Sequence, residues 1–377
     1  MNALVAWKML THEKARNILA VGGIFIAVLM IFLQLGFYDC VPKAGMLTYN
    51  GLRFDILLTS SSYVSQVQSY DFPRARLYQA LSLPEVESAS PFYQGEASWL
   101  SEPGGARRDL FVMGFRLADR SMIVDDIVRQ LDVLALPDTL LVDTQTLPIY
   151  GPRTPGRTVE LRERTMHIGG QYTLGTGFVG TGAVVVSDVN FIRIFPRRSL
   201  AAANLGLVNL KAGSNPDQVA ARLRALLPAD TKVFTRSEIK AHEIAYWQTK
   251  APTGIIFGFG VIISIIAGTI ILYGTLATQV TRQLPQYATL KAMGYTDGAL
   301  RHIVVALALI TAGIAYIPAL GGTLMIYDRL RIIARLPIDM TATRVAGVLA
   351  ITLVMAAGSA LLAVGNAIRP DPPVYLF

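Results

Sequence analysis

Charge is scarce in this chain, and the scarcity is local. Only 16% of its 377 residues are Asp, Glu, Lys or Arg, against about 25% in an ordinary soluble domain. Four stretches lack those residues altogether: 17–38, 251–281, 302–327 and 345–368. Each exceeds the roughly 20 residues that cross about 30 Å of hydrocarbon. The chain is therefore neither a wholly soluble enzyme nor a bare membrane bundle. A single cysteine, Cys40, excludes an internal disulfide. Its predecessors Phe37, Tyr38 and Asp39 are too bulky or charged for lipoprotein processing, which needs small residues. The four histidines, His12, His167, His242 and His302, are scattered, and no second His follows His242-Glu243 at metal-binding spacing. No lysine precedes a Ser or Thr, so a phosphate-cradling loop of the nucleotidase type is absent. A G-x-S-x-G nucleophile elbow is missing too. No catalytic, cofactor-binding or metal-ligating set is expected.

What is present is a long polar segment between the first two apolar stretches. Residues 39–250 hold 23 basic and 21 acidic residues, a balance of +2 out of the chain's +8. The rest of the positive charge lies beside the apolar stretches, which argues against a nucleic-acid partner. The first stretch is too long for a signal-peptide core, and no small-residue cleavage site follows it, so a retained span is expected. Four spans put both termini on one side. Lys8, Lys14, Arg16, Arg282, Lys291, Arg301 and Arg369 fall on that side, and Arg329, Arg331, Arg335 and Arg344 on the other. The excess places the termini in the cytoplasm. Before the first span, Leu4, Trp7, Met9 and Leu10 alternate with Lys8, His12, Glu13 and Lys14, a pattern for an amphipathic helix on the inner membrane face.

The second stretch is the longest, and Glu238–Gln248 before it also reads as helical. Together they predict a rigid lever running from the inner surface into the polar domain. Gly254 with Gly258 and Ala308 with Ala312 sit at four-residue spacing. Such pairs mark close helix packing, either within the chain or in a homodimer. No Asp, Glu, Lys or Arg is expected within a span, which disfavours an ion-coupled transporter. Gly175-Thr-Gly-Phe-Val-Gly180 matches a dinucleotide fingerprint, but a strand-like Ala183-Val-Val-Val follows where a helix is needed. A glycine-rich hairpin is the expectation there.

Between the second and third spans, Pro285 suits the first turn of a helix and Gly294 its end, with Thr296 or Asp297 as the next cap. A short bounded helix at the inner membrane surface is predicted, with Tyr287, Leu290 and Met293 on a face. This loop, Leu284-Pro-Gln-Tyr-Ala-Thr-Leu-Lys-Ala-Met-Gly-Tyr295, resembles the signature loop of the FtsX/MacB-like ABC permease superfamily, most closely its DevC branch. The tail Ile368-Arg-Pro-Asp-Pro-Pro-Val-Tyr375 resembles that family's terminal segment. The order of one span, a large outer domain, three spans and a short tail is also similar. The loop departs from the family at Gln286, where an acidic residue is usual.

The resemblance implies the membrane subunit of an ABC exporter working by mechanotransmission. It implies a homodimer, a separate ABC ATPase that holds ATP and magnesium, a periplasmic membrane-fusion adaptor and a TolC-like outer-membrane channel. Substrates would be glycolipid-like or other amphiphiles. Arg282, Pro285, Gln286, Tyr287, Leu290, Lys291 and Gly294 would carry the ATPase coupling. An FtsX-like regulator of periplasmic hydrolases and a lipoprotein-release permease share the four-span plan. The expected fold is an α-helical membrane domain of four helices with a large α+β periplasmic domain between helices 1 and 2. Its parts are an N-terminal helix (1–17), spans at 18–38, 251–281, 302–327 and 345–368, and a periplasmic domain at 39–250. The periplasmic domain has porter-like halves at about 39–100 and 201–250 around a strand-rich insert at about 100–200. A coupling loop (282–301), a short periplasmic loop (328–344) and a cytoplasmic tail (369–377) complete it, in a bacterial inner membrane.

Overall fold

The computed structural model describes residues 14–102, 104–177, 180–292 and 296–367. The predicted N-terminal amphipathic segment before Lys14 and the tail from Ile368 lie outside them. The described chain divides into two compact units. One holds the apolar helices, and the other comprises residues 40–254 with 334–337.

The chain enters through α1 (Lys14–Gly45) and one helical turn, α2 (Leu47–Asn50). In the strand-rich unit, β1 (Ile56–Ser60), the short β2 (Phe72–Pro73), α3 (Ala75–Ala80) and β3 (Val86–Leu100) come first. The middle contributes β4 (Arg108–Phe115), α4 (Asp125–Val128), α5 (Leu131–Leu134), β5 (Thr139–Asp143), β6 (Thr158–Leu161), β7 (Arg164–Tyr172), β8 (Ala183–Ser187) and α6 (Asp188–Ile194). The return adds β9 (Ala202–Ala203), β10 (Leu205–Leu210), α7 (Pro216–Leu226), β11 (Thr231–Thr235) and α8 (Arg236–Thr249).

Nine strands form one sheet in the order β11-β1-β10-β3-β4-β8-β5-β7-β6. The first four, with α3 and α7, make a split β-α-β arrangement of the ferredoxin type. β3 is 15 residues long and serves two neighbourhoods. Its first half pairs with β10, from Val86 to Phe92, and its second half pairs with β4. At its end Trp99 and Leu100 pair with Leu161 and Glu160 of β6. That contact closes β3, β4, β8, β5, β7 and β6 into a ring.

Alternation decides the core. Leu110, Val112, Leu140, Val142, Val184 and Val186 come from one face of their strands and pack in a continuous cluster with Tyr93 and Trp99. Phe191 and Ile194 of α6 and Val219, Ala220 and Leu223 of α7 belong to the same cluster. The helices begin where side chains satisfy their first N–H groups. Asn215 accepts from Asp217 N at 2.9 Å before Pro216 opens α7. Thr235 and Glu238 form a reciprocal capping box on α8.

The predicted lever is interrupted. α8 ends at Thr249, and α9 (Pro252–Ala292) starts anew at Pro252. Pro252 has no N–H to continue the ladder and disfavours helical backbone at Ala251. The predicted start of a separate helix at Pro285 is likewise absent, since α9 runs through Pro285 without a break. One lost hydrogen bond does not stop a helix whose nucleation cost was met many turns earlier. At 41 residues α9 is about 60 Å long.

The helical unit is completed by α10 (Asp297–Ile333) and α11 (Ala342–Ala367). Thr296 accepts from Ala299 N at the start of α10, and Thr341 accepts from Arg344 N at the start of α11. Among the described residues, four helices are long and apolar enough to cross a membrane: Val21–Gly45, Pro252–Arg282, Arg301–Ile333 and Ala342–Gly365. They overrun the uncharged stretches, so Asp39 and Arg344 fall inside helices, contrary to the expectation of spans without charge.

Candidate functional site

The segment predicted to couple to an ATPase is the last part of α9. Arg282 is exposed. Pro285, Gln286, Tyr287, Leu290 and Lys291 lie on helical backbone, with side chains outside the described residues, as is the whole of Gly294. One turn earlier, Thr278 and Thr281 turn their hydroxyls back onto the carbonyls of Gly274 and Ala277. Those polar groups are satisfied within the helix.

Of the predicted packing residues, Ala308 and Ala312 are fully buried in the helical core, on one stripe with Ala315 and Ala319. Ala356 and Ala360 of α11 join the same core. Small side chains here let helix backbones approach closely. Gly258 packs on Tyr38 of α1, which a Cβ would meet at 3.3 Å. Gly254 has another role: a Cβ there would stand 1.8 Å from the Trp247 carbonyl oxygen, at the joint between α8 and α9.

A polar clamp ties α1, α10 and α11 together. The Arg344 guanidinium, 3% exposed, donates to Asp39 Oδ2 at 2.8 Å. It also donates to the Asp339 carbonyl and reaches the Tyr327 hydroxyl. Tyr327 in turn donates to the Phe32 carbonyl at 2.6 Å. Gly36 makes room for that phenol, since a Cβ would lie 1.9 Å from its oxygen. Nearby, Arg331 bridges Asp328 and Asp339 at 3.2 and 2.9 Å. Two of the four arginines counted on the outer side are thus paired with carboxylates.

Residues 258–372 match the family model "FtsX-like permease C-terminal". This part of the chain is similar to FtsX-like permease domains. No curated protein matches the chain. Among solved structures, the periplasmic region of MacB from Actinobacillus actinomycetemcomitans matches with 10% identity and a TM-score of 0.36, over 51% of this chain and 94% of that one. The extracellular domain of the noncanonic ABC-type transporter YknZ from Gram-positive bacteria matches with 10% identity and a TM-score of 0.35, over 48% and 99%.

Ahead of the permease domain, a second polar node lies in the strand-rich unit, on α8. Glu243 is fully buried. Its Oε1 accepts from the Tyr63 hydroxyl and, at 3.1 Å, from Gln66 N–H. Its Oε2 accepts from Trp247 Nε1 at 3.2 Å. Tyr49 of α2 extends the chain through the Tyr63 hydroxyl. Burial pushes the Glu243 carboxyl up to about 7, against the pull of the Tyr63, Trp247 and Gln66 donors. Burial likewise raises the Tyr49 and Tyr63 phenols well above their usual value.

The glycine-rich stretch has a structural role. Gly175, at φ +87°, donates its N–H to buried Asp143 at 2.6 Å. Gly177, at φ +56°, leaves no room for a Cβ beside Ala44. It is not a hairpin, because β5 lies between β7 and β8 in the sheet. Among the described residues, no group of three or more His, Cys, Asp or Glu side chains could hold a metal ion.

Sequence reasoning passed over Asp39, Tyr327, Arg344, Tyr63 and Glu243. A signal for the first clamp was available. Asp39 directly follows one uncharged stretch, and Arg344 directly precedes another at the same end of the bundle. Glu243 has only the weak signature of a carboxylate four residues before a tryptophan.

Proposed function

We propose that the chain is the membrane subunit of an ABC exporter that works by mechanotransmission with a separate ATPase. The observation that carries this reading is the FtsX-like permease match over 258–372. It covers all but the first six residues of a helix that runs unbroken from an apolar span into the coupling segment. Displacement of the helix end by an ATPase would travel along α9 without loss at Pro285. Arg282, Gln286, Tyr287, Leu290 and Lys291 are the proposed contacts, with Pro285 and Gly294 shaping the segment. ATP and magnesium would be held by the ATPase.

The strand-rich unit is proposed to lie in the periplasm of an inner-membrane protein. There it would meet a membrane-fusion adaptor, and through it an outer-membrane channel, in a DevC-type tripartite system for amphiphilic substrates. Homodimerisation is supported by exposed Ile256, Phe259, Ile263, Ile266 and Ile270. Their alternating steps of three and four residues make a seam that a second copy of α9 could share.

Changing both Tyr287 and Leu290 to Asp is expected to abolish co-purification with an ATPase encoded beside this chain. Retained binding would remove the coupling role of the segment. Orientation is tested separately with a Ser214→Cys variant. A membrane-impermeant maleimide added to intact spheroplasts is expected to label it, and protection until lysis would reverse the topology.

A further inference from the structure

Residues 61–71 form a strap between β1 and β2, held at its ends by Ser61 N–H on the Asp230 carbonyl at 2.8 Å and by Asn204 on Asp71 at 2.8 Å, and fastened again through its middle. Val64 O lies 2.9 Å from His242 Nε2. The Tyr63 hydroxyl and Gln66 N–H both end on one oxygen of Glu243. Gln94 of β3 donates its side-chain amide to the Gln66 carbonyl. Lys232 of β11 donates to the Tyr63 carbonyl at 3.1 Å. So a single carboxylate on α8 carries two of the strap's attachments, and Tyr63 and Gln66 of the strap cover one of its oxygens.

The closed strap also carries a cost. Ser65 Oγ, both amide atoms of Gln66 and Gln94 Oε1 are buried with no hydrogen-bond partner. Each regains water on opening, which offsets part of what closing gains. The carboxylate's surroundings bear on its proton as well. Both oxygens of Glu243 face donors. A proton on Oε2 would confront the indole N–H, and one on Oε1 requires the Tyr63–Tyr49 hydroxyl chain to reverse. The ionised form is instead penalised by the absence of water.

We propose that the strap is a proton-controlled latch, closing over α8 with Glu243 protonated and opening with Glu243 ionised, the proton passing to water. The charged and titratable groups around Glu243 are Tyr63 on the strap, Tyr49 on α2, Lys232 on β11, and Arg236 and His242 on α8. Arg236 reaches the Tyr49 carbonyl at 3.4 Å, and the His242 ring lies 5.8 Å from that of Tyr63. None of them gives Glu243 a charged hydrogen-bond partner in the closed state.

The direction follows from linkage. Buried, the carboxyl titrates near 7, and opened to water it returns towards 4.5. The closed state therefore has its full advantage at acid pH and loses it as pH rises through 7. Opening is expected to become about tenfold more favourable between pH 6 and pH 8. This inference does not depend on the presence of an ATPase.

Hydrogen–deuterium exchange of the full chain in detergent, corrected for intrinsic rates, reads the opening at the Gln66 amide. The wild type is expected to lose about tenfold protection from pH 6 to pH 8, and Glu243→Gln to show none of that change. Protection that varies less than about twofold in the wild type would overturn the latch. An unchanged pH dependence in Glu243→Gln would assign it to His242 and also overturn the latch. Should Glu243→Gln fail to fold, Tyr63→Phe provides the second arm. It removes a donor that favours the ionised carboxylate, so the midpoint is expected to move to higher pH. An unmoved midpoint would count against Glu243 as the titrating group.

Discussion

Replacing Asp39 with alanine is expected to destabilise the helical unit by about 2–3 kcal/mol. The reason is the position of its partner. Arg344 is 3% exposed, whereas Asp39 is 48% exposed. Removing the carboxylate strands a guanidinium that has no easy route to water. The cost stays below the roughly 3–5 kcal/mol of a fully buried pair, because Asp39 itself is half solvated. The Asp339 carbonyl and the Tyr327 hydroxyl remain as acceptors but supply no formal charge. Asp39→Asn, which keeps a side-chain carbonyl for Arg344, is expected to lose less. Thermal unfolding of the detergent-solubilised full chain checks both variants. Equal melting of Asp39→Ala and wild type would show that the ion pair contributes nothing to holding α1 against α11.

The other large effect is expected at Gly45, the last residue of α1. A methyl group there would lie 2.1 Å from Trp247 Nε1, 2.4 Å from Cδ1 and 2.8 Å from Cε2. The indole is buried and is also the donor to Glu243 Oε2. Gly45→Ala therefore forces the ring aside and breaks a bond to a buried carboxylate. Overpacking of this kind costs about 1–3 kcal/mol, and the lost hydrogen bond adds about 1–2. A loss of about 3 kcal/mol is expected. A melting profile that superimposes on that of the wild type would show that Trp247 shifts freely and that the node is loosely held.

Local features were readable in advance, and distant pairings were not. The spans announced themselves through uninterrupted hydrophobicity, although α1 runs on to Gly45, beyond the expected end at Tyr38. α7 carries a local signal of its own, a proline behind an asparagine cap. The break before α9 is marked in the sequence by Lys250-Ala-Pro252. Hidden from the sequence were contacts between residues far apart along the chain. Asp39 and Arg344 are separated by 305 positions, and Tyr63 and Glu243 by 180. Periodicity reports which face of an element is apolar, and it carries no record of which other element that face will meet. The same limit concealed the closure of β3 onto β6. It also concealed the use of the glycine-rich stretch, where Gly175 meets Asp143 and Gly177 meets Ala44.

That closure bears on how the protein is made. The eleven strands among the described residues are complete by Thr235, while three of the four described helices long and apolar enough to cross a membrane are still to be synthesised. Among the described strands of the nine-stranded sheet, β11 alone pairs with a single other strand. It is five residues long and carries Lys232, features that discourage a foreign strand from adding to a rim. A nascent chain in this state offers other unfolded chains little to stack upon, during the interval when its remaining helices have yet to reach the bilayer.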